Sequence, residues 1–114
     1  MDIRLSELDG ETLVATVEPG DTGPLVDMMN ERQNGFSVWG EDIPIPLAVV
    51  DGRIIQEDWC TEDHLIAIEA HELGHVRLET LSEEDAELEG MRLLKAAGLH
   101  GALALLEARG IVHV

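Results

Sequence analysis

The residues whose types and spacing most clearly suggest chemistry are His71-Glu72-Leu73-Gly74-His75, an HExxH pattern. Residues four apart on a helix differ by about 40° around the axis, so both imidazoles leave one face and can share one ion. Glu72 lies about 100° from His71, beside such an ion rather than on it, where it can take a proton from an activated water. Zinc is the natural occupant, because two imidazoles plus a carboxylate, with a fourth position open, is a common catalytic arrangement. The third ligand must come from the acids that follow, among them Glu79, Glu83, Glu84, Asp85, Glu87 and Glu89. With Glu83 set at 0° on a helix, Ala86 falls near about 300°, Glu87 about 40°, Gly90 about 340° and Leu94 about 20°. That stripe joins two carboxylates to two very small residues, which a close helix contact needs. Glu83 is therefore the expected ligand. Glu87 is the alternative, or else an acceptor that orients one of the histidines.

Other candidates are weaker. His64 shares the metal face but lies roughly 10 Å along the axis from His71, too far to share the ion. Cys60 could cap zinc as a thiolate, although a small buried hydrophobe is the plainer role. Trp39 and Trp59 are expected to pack in the core or at a rim. Glu72 is the expected catalytic base.

Two helices must position these groups. Thr61 can cap a helix running to about Leu78, with Glu62 and Asp63 favourable at its positive end. Ser82 caps a second helix running to about Ala97 and stopping at Gly98, with Asp85 resembling the acid of a capping box. A third is expected over Ala102 to Arg109, leaving residues 111–114 as a tail or edge strand. Only the seven residues from Val76 to Ser82 separate His75 from Glu83, so the intervening turn must be tight, with no glycine in it. The first half holds all the turn-forming prolines. Thr12 to Val17 reads as a strand and Pro24 to about Glu31 as a short helix, with Thr22 a candidate cap. Phe36 to Trp39 reads as a short strand. Asp51-Gly52 between two apolar runs signals a hairpin joining 47–50 to 53–56. The fold class is α+β, in one domain over residues 1–114.

The run His71 to His75, with Glu83-Glu84-Asp85-Ala86-Glu87-Leu88-Glu89-Gly90 after it, resembles the gluzincin pattern HExxH…ExxA[DN]xxG, with Glu87 where many relatives carry Asp or Asn. The likeness extends over roughly residues 46–98, to HtpX-like, CaaX-processing and ImmA/IrrE-like peptidases, and in length to the minigluzincins. It implies a zincin-like active-site helix, a following glutamate helix, and zinc on His71, His75 and Glu83. It further implies peptide-bond hydrolysis with Glu72 as base, and a rim strand at Arg53 to Gln56 that pairs with an extended peptide or protein substrate. Relatives often steady the oxyanion with Tyr or His; this chain has no tyrosine, which leaves His100 and His113.

Composition bounds the alternatives. The formal net charge is −17, with Lys95 the one lysine, and such a surface repels nucleic acid. No apolar run is long enough to span a bilayer, and the first residues lack the order of a secretory signal. A single cysteine fits a reducing compartment, so a cytoplasmic location is expected. The other functional reading is a non-catalytic or latent zinc-binding interaction protein. Self-association that blocks the cleft is a further one.

Overall fold

The computed structural model describes residues 1–108. Four strands and four helices form an α+β fold: β1 (Asp2–Leu5), β2 (Leu13–Val17), α1 (Pro24–Asn30), β3 (Gly35–Val38), β4 (Leu47–Asp51), α2 (Glu62–Leu78), α3 (Glu83–Ala97) and α4 (His100–Ala108). The sheet order is β1-β2-β4-β3. β2 and β4 pair in parallel, Val14 opposite Ala48, while β1 and β3 pair antiparallel at the two edges. No described helix is long and apolar enough to cross a membrane.

Alternation along the strands sends side chains to both faces of this sheet, and both are covered. Val14, Ala48 and Val50 pack against Ile68, Leu73 and Val76 of α2 and Leu93 of α3. On the other face Ala15, Val17, Phe36 and Val49 pack beneath Val26 and Met29 of α1. Ala102 and Leu106 of α4 close a third cluster with Ala67, Ala70 and Leu94. Each fully buried Val or Leu contributes about 1.5–3 kcal/mol by area. The core is aliphatic because the chain offers so few aromatics.

α2 is the centre of the molecule. Every residue from Ala67 to Val76 is buried, since the sheet flanks one side and α3 and α4 the others. α3 can approach closely because small residues meet at the crossing. A Cβ on Gly74 would run into the backbone of Ala86, and one on Gly90 would stand 2.8 Å from the Ala70 carbonyl oxygen. Ala86 and Gly90 are thus the contact residues that the helical stripe predicts, and Gly74 is their counterpart on α2. Enlarging Gly74 would push the two helices apart.

Two expectations need correction, and one strand is added. Asp51-Gly52 makes no hairpin: residues 52–56 form a 3₁₀ turn, capped by the Asp51 carboxylate, which accepts from the Arg53 amide at 3.1 Å. Gly52 is required not for a positive φ but because a Cβ there would lie 2.7 Å from Thr16 Cγ2. Thr22 does not cap α1; Gly23 holds that position at φ 122°, with Pro24 beginning the helix. Strand β1 is additional, with only Ile3 and Leu5 apolar among its four residues, both exposed at the edge. Residues 111–114 and His113 lie outside the described residues.

Candidate metal centre

The site grows from the C-terminal half of α2. Thr61 caps that helix, its amide and hydroxyl meeting His64 Nδ1 at 2.9 and 2.8 Å. His64 is therefore spent on the helix start, away from the other histidines. Two to three turns on, His71 and His75 leave one face with their rings edge to face, centroids 4.8 Å apart. Both are buried. Their Nε2 atoms stand 3.2 Å apart.

The tight turn is solved without glycine. Glu79 adopts the left-handed conformation at φ 47°, and the Thr80 amide returns to the His75 carbonyl at 3.1 Å. The Thr80 carbonyl then accepts the Nδ1 proton of His75 at 2.7 Å. With Nδ1 so engaged, the neutral form of the ring carries its free electron pair on Nε2, as a metal-ligating histidine requires. Ser82 caps α3, accepting from the Asp85 amide at 3.2 Å, so Glu83 is the first residue of that helix. Its carboxylate reaches His71 Nε2 at 2.7 Å and His75 Nε2 at 3.4 Å.

Burial tends to raise the Glu83 carboxyl, but the charges and hydrogen bonds of His71 and His75 outweigh it and hold the group below its ordinary value. Among the described residues, these three form the one group of His, Cys, Asp and Glu side chains whose ligand atoms converge, all within 4.8 Å of one another. The donor set suits zinc. Ligands at about 2.0–2.1 Å in tetrahedral geometry stand about 3.3 Å from each other. The two Nε2 atoms and the His75–Glu83 pair are close to that spacing, while His71 and Glu83 lie nearer, as a direct hydrogen bond demands.

Glu72 is buried beside the triad but outside it. Strand β3 comes close here because Gly35 lacks a side chain: a Cβ would stand 3.1 Å from Glu72 Cγ. Ser37 on the same strand places its hydroxyl 2.7 Å from Glu72 Oε1 and 3.0 Å from the Glu72 carbonyl oxygen, and its one proton is divided between them. Burial pushes the Glu72 carboxyl up to about 7, against the pull of Ser37 and of His75. A carboxyl in that range can both accept and return a proton at neutral pH.

A cavity of about 460 Å³ opens over these groups, lined by β3, its flanking residues Arg32 and Trp39, and the α2–α3 turn. Trp39 stacks against the His75 ring, 6.4 Å between centroids and 11° between planes. The rim strand expected at 53–56 is absent, since a 3₁₀ turn occupies that stretch; the sheet edge beside the cavity is β3.

The other candidates fall elsewhere. Glu87 is buried on α3 but is not in the converging group. Cys60 is buried before α2 and Trp59 packs edge-on against His64; neither lines the cavity, nor does the exposed His100. Ser37, Arg32 and the Thr80 carbonyl are not among the residues singled out from sequence, because nothing local in the chain marks a residue that tertiary packing alone brings to α2. Compared with known proteins, the chain matches no family, no characterised protein and no solved structure.

Proposed function

We propose that the protein is a zinc-dependent metallopeptidase that binds its metal through His71, His75 and Glu83. The observation that carries this is the convergence of two Nε2 atoms and one carboxylate at ligand spacing, with buried Glu72 next to them. The residue types and their order also agree with the gluzincin resemblance. Zinc held there would polarise a scissile carbonyl and make water a better nucleophile at neutral pH.

This chain's residues would do the rest. The Thr80 carbonyl keeps His75 in the ligating tautomer. Glu72 takes the proton of the attacking water and returns it to the departing amine, while Ser37 orients its carboxylate. Edge strand β3 offers backbone groups along the cavity to an extended peptide or protein chain. The lone cysteine fits action in the cytoplasm, and the strong negative charge disfavours nucleic acid as partner. One feature favours a latent or non-catalytic zinc protein instead: among the described residues the cavity lining has neither a tyrosine nor a third histidine to steady an oxyanion.

The test is metal content together with cleavage of a denatured protein mixture, for wild type, His71→Ala, Glu83→Ala and Glu72→Gln. The first two substitutions should lose zinc; Glu72→Gln should keep it and lose hydrolysis. Full zinc in Glu83→Ala rejects the ligand set. Wild type that holds zinc and cuts nothing supports the latent protein.

A further inference from the structure

Arg32 stands at the cavity in a chain with 24 acids and seven lysines and arginines, where a cation finds an acid easily. Four arginines have done so: Arg4 pairs with Glu69, Arg53 with Asp51, Arg77 with Asp9, Glu11 and Glu89, and Arg92 with Glu89. Arg32 forms no ion pair among the described residues. Its guanidinium instead lies over the Phe36 ring, 5.6 Å from the centroid, and among the described residues it is the only lysine or arginine lining the cavity. Phe36 is fixed in β3 and buried, so the stacked guanidinium is positioned before any ligand arrives. The planar fork of arginine matches a carboxylate with two parallel N–H donors.

We propose that Arg32 reads a carboxylate on the peptide occupying this cavity, and so sets the specificity of the site. This rests on the peptidase reading above, and it narrows the substrate class to peptides bearing one carboxylate near the bond that is cut. That carboxylate is either the chain terminus or an Asp or Glu side chain. The rest of the peptide should be neutral or basic, because the surrounding surface repels further negative charge.

The test measures binding first. Zinc-loaded Glu72→Gln protein is titrated, by fluorescence anisotropy, into three labelled peptides of one basic sequence. One ends in a free carboxylate, one in a carboxamide, and one in a carboxamide with a single internal Glu. At least one carboxylate peptide should bind about tenfold more tightly than the plain carboxamide, an advantage of the size a hydrogen-bonded charge gives. Whichever peptide gains identifies the source as terminus or side chain. On the same background Arg32→Gln should bring that ratio to about one, and Arg32→Lys should keep part of it.

Equal binding of all three peptides overturns the proposal. So does an advantage that survives Arg32→Gln, since the metal would then be reading the carboxylate. The same peptides given to the protein with Glu72 intact separate the two readings. Cleavage without carboxylate preference sinks the role of Arg32 and leaves the peptidase. Preference in binding without any cleavage keeps Arg32 as a recognition residue and sinks the peptidase. A uniform loss of cleavage of every peptide in Arg32→Gln, with no change in their ratio, also overturns it, because Arg32 would then be acting on the reaction and not on the carboxylate.

Discussion

Glu69 and Glu72 sit one turn apart on the same helix, each 7% exposed, and their surroundings could hardly differ more. Glu69 receives the Arg4 guanidinium at 2.7 Å and the Ser6 hydroxyl at 2.6 Å, which ties edge strand β1 to α2. Glu72 receives one shared hydroxyl and faces the cavity, and burial lifts its carboxyl to about 7. A buried carboxylate that is fully paired holds structure together, whereas one bonded only by a hydroxyl keeps a proton to trade. Burial alone therefore does not distinguish the two roles; the partners do.

The contrast breaks most visibly in paired substitutions. Glu72→Gln should lower peptide hydrolysis by about 10²–10⁴-fold, the usual worth of a positioned acid–base group, with the fold intact. Glu69→Gln should do the reverse. It takes from Arg4 its buried acid, leaving only the exposed Asp2 at 3.6 Å, and costs about 1–3 kcal/mol, moderated because Arg4 can turn to water, while the rate per folded molecule is kept. Urea denaturation and steady-state cleavage of the same two proteins check both halves. If Glu69→Gln removes activity at full stability, the division of roles is wrong.

The next effect is the pH dependence of stability in metal-free protein. Glu72 binds its proton more tightly when folded, near 7, than its ordinary value of 4.5. Its contribution is then complete below pH 4.5 and is lost as pH rises through 7. The size follows from about 1.4 kcal/mol per unit, so roughly 3 kcal/mol across that window. Wild type should lose this much relative to Glu72→Gln between pH 4.5 and 8 in parallel urea titrations with a chelator present. Glu83 works with the opposite sign, since its lowered carboxyl adds stability above its ordinary range that acidification removes. Parallel curves for wild type and Glu72→Gln would mean that water reaches Glu72.

Ser37→Ala sharpens the comparison by removing the one hydroxyl that favours the Glu72 carboxylate. The carboxyl should then rise further, moving the acid limb of kcat/KM upward by about half to one pH unit. Ser6→Ala, the matching change at Glu69, should leave that limb in place. Both profiles come from initial rates across pH 5 to 9.

What the sequence disclosed and what it hid divide along the same line of local against tertiary. Thr61, Ser82 and Gly98 mark the ends of α2 and α3 because capping depends on residues within one turn. The stripe of Glu83, Ala86 and Gly90 is legible because helical spacing alone places it. Ser37 and Arg32 were invisible as site residues, since a strand and a loop some 35 positions upstream meet α2 only through the sheet. Asp51-Gly52 misleads for a related reason: the glycine serves the approach of Thr16 and Val17, which looks identical in sequence to a turn requirement.

The smallest effect concerns the turn that delivers Glu83. α2 and α3 both end on a left-handed residue, but α3 uses Gly98 at φ 72° while α2 uses Glu79 at φ 47°. A side chain there costs about 1 kcal/mol that glycine avoids. Glu79→Gly should therefore raise stability, by less than that figure, because glycine also loosens the unfolded chain. The gain should appear in the urea midpoint. If zinc affinity stays unchanged, the strain is incidental to ligand placement. If affinity falls while stability rises, the stiff glutamate turn is what holds Glu83 against the two histidines, and α2 keeps a poorer cap for the sake of its metal.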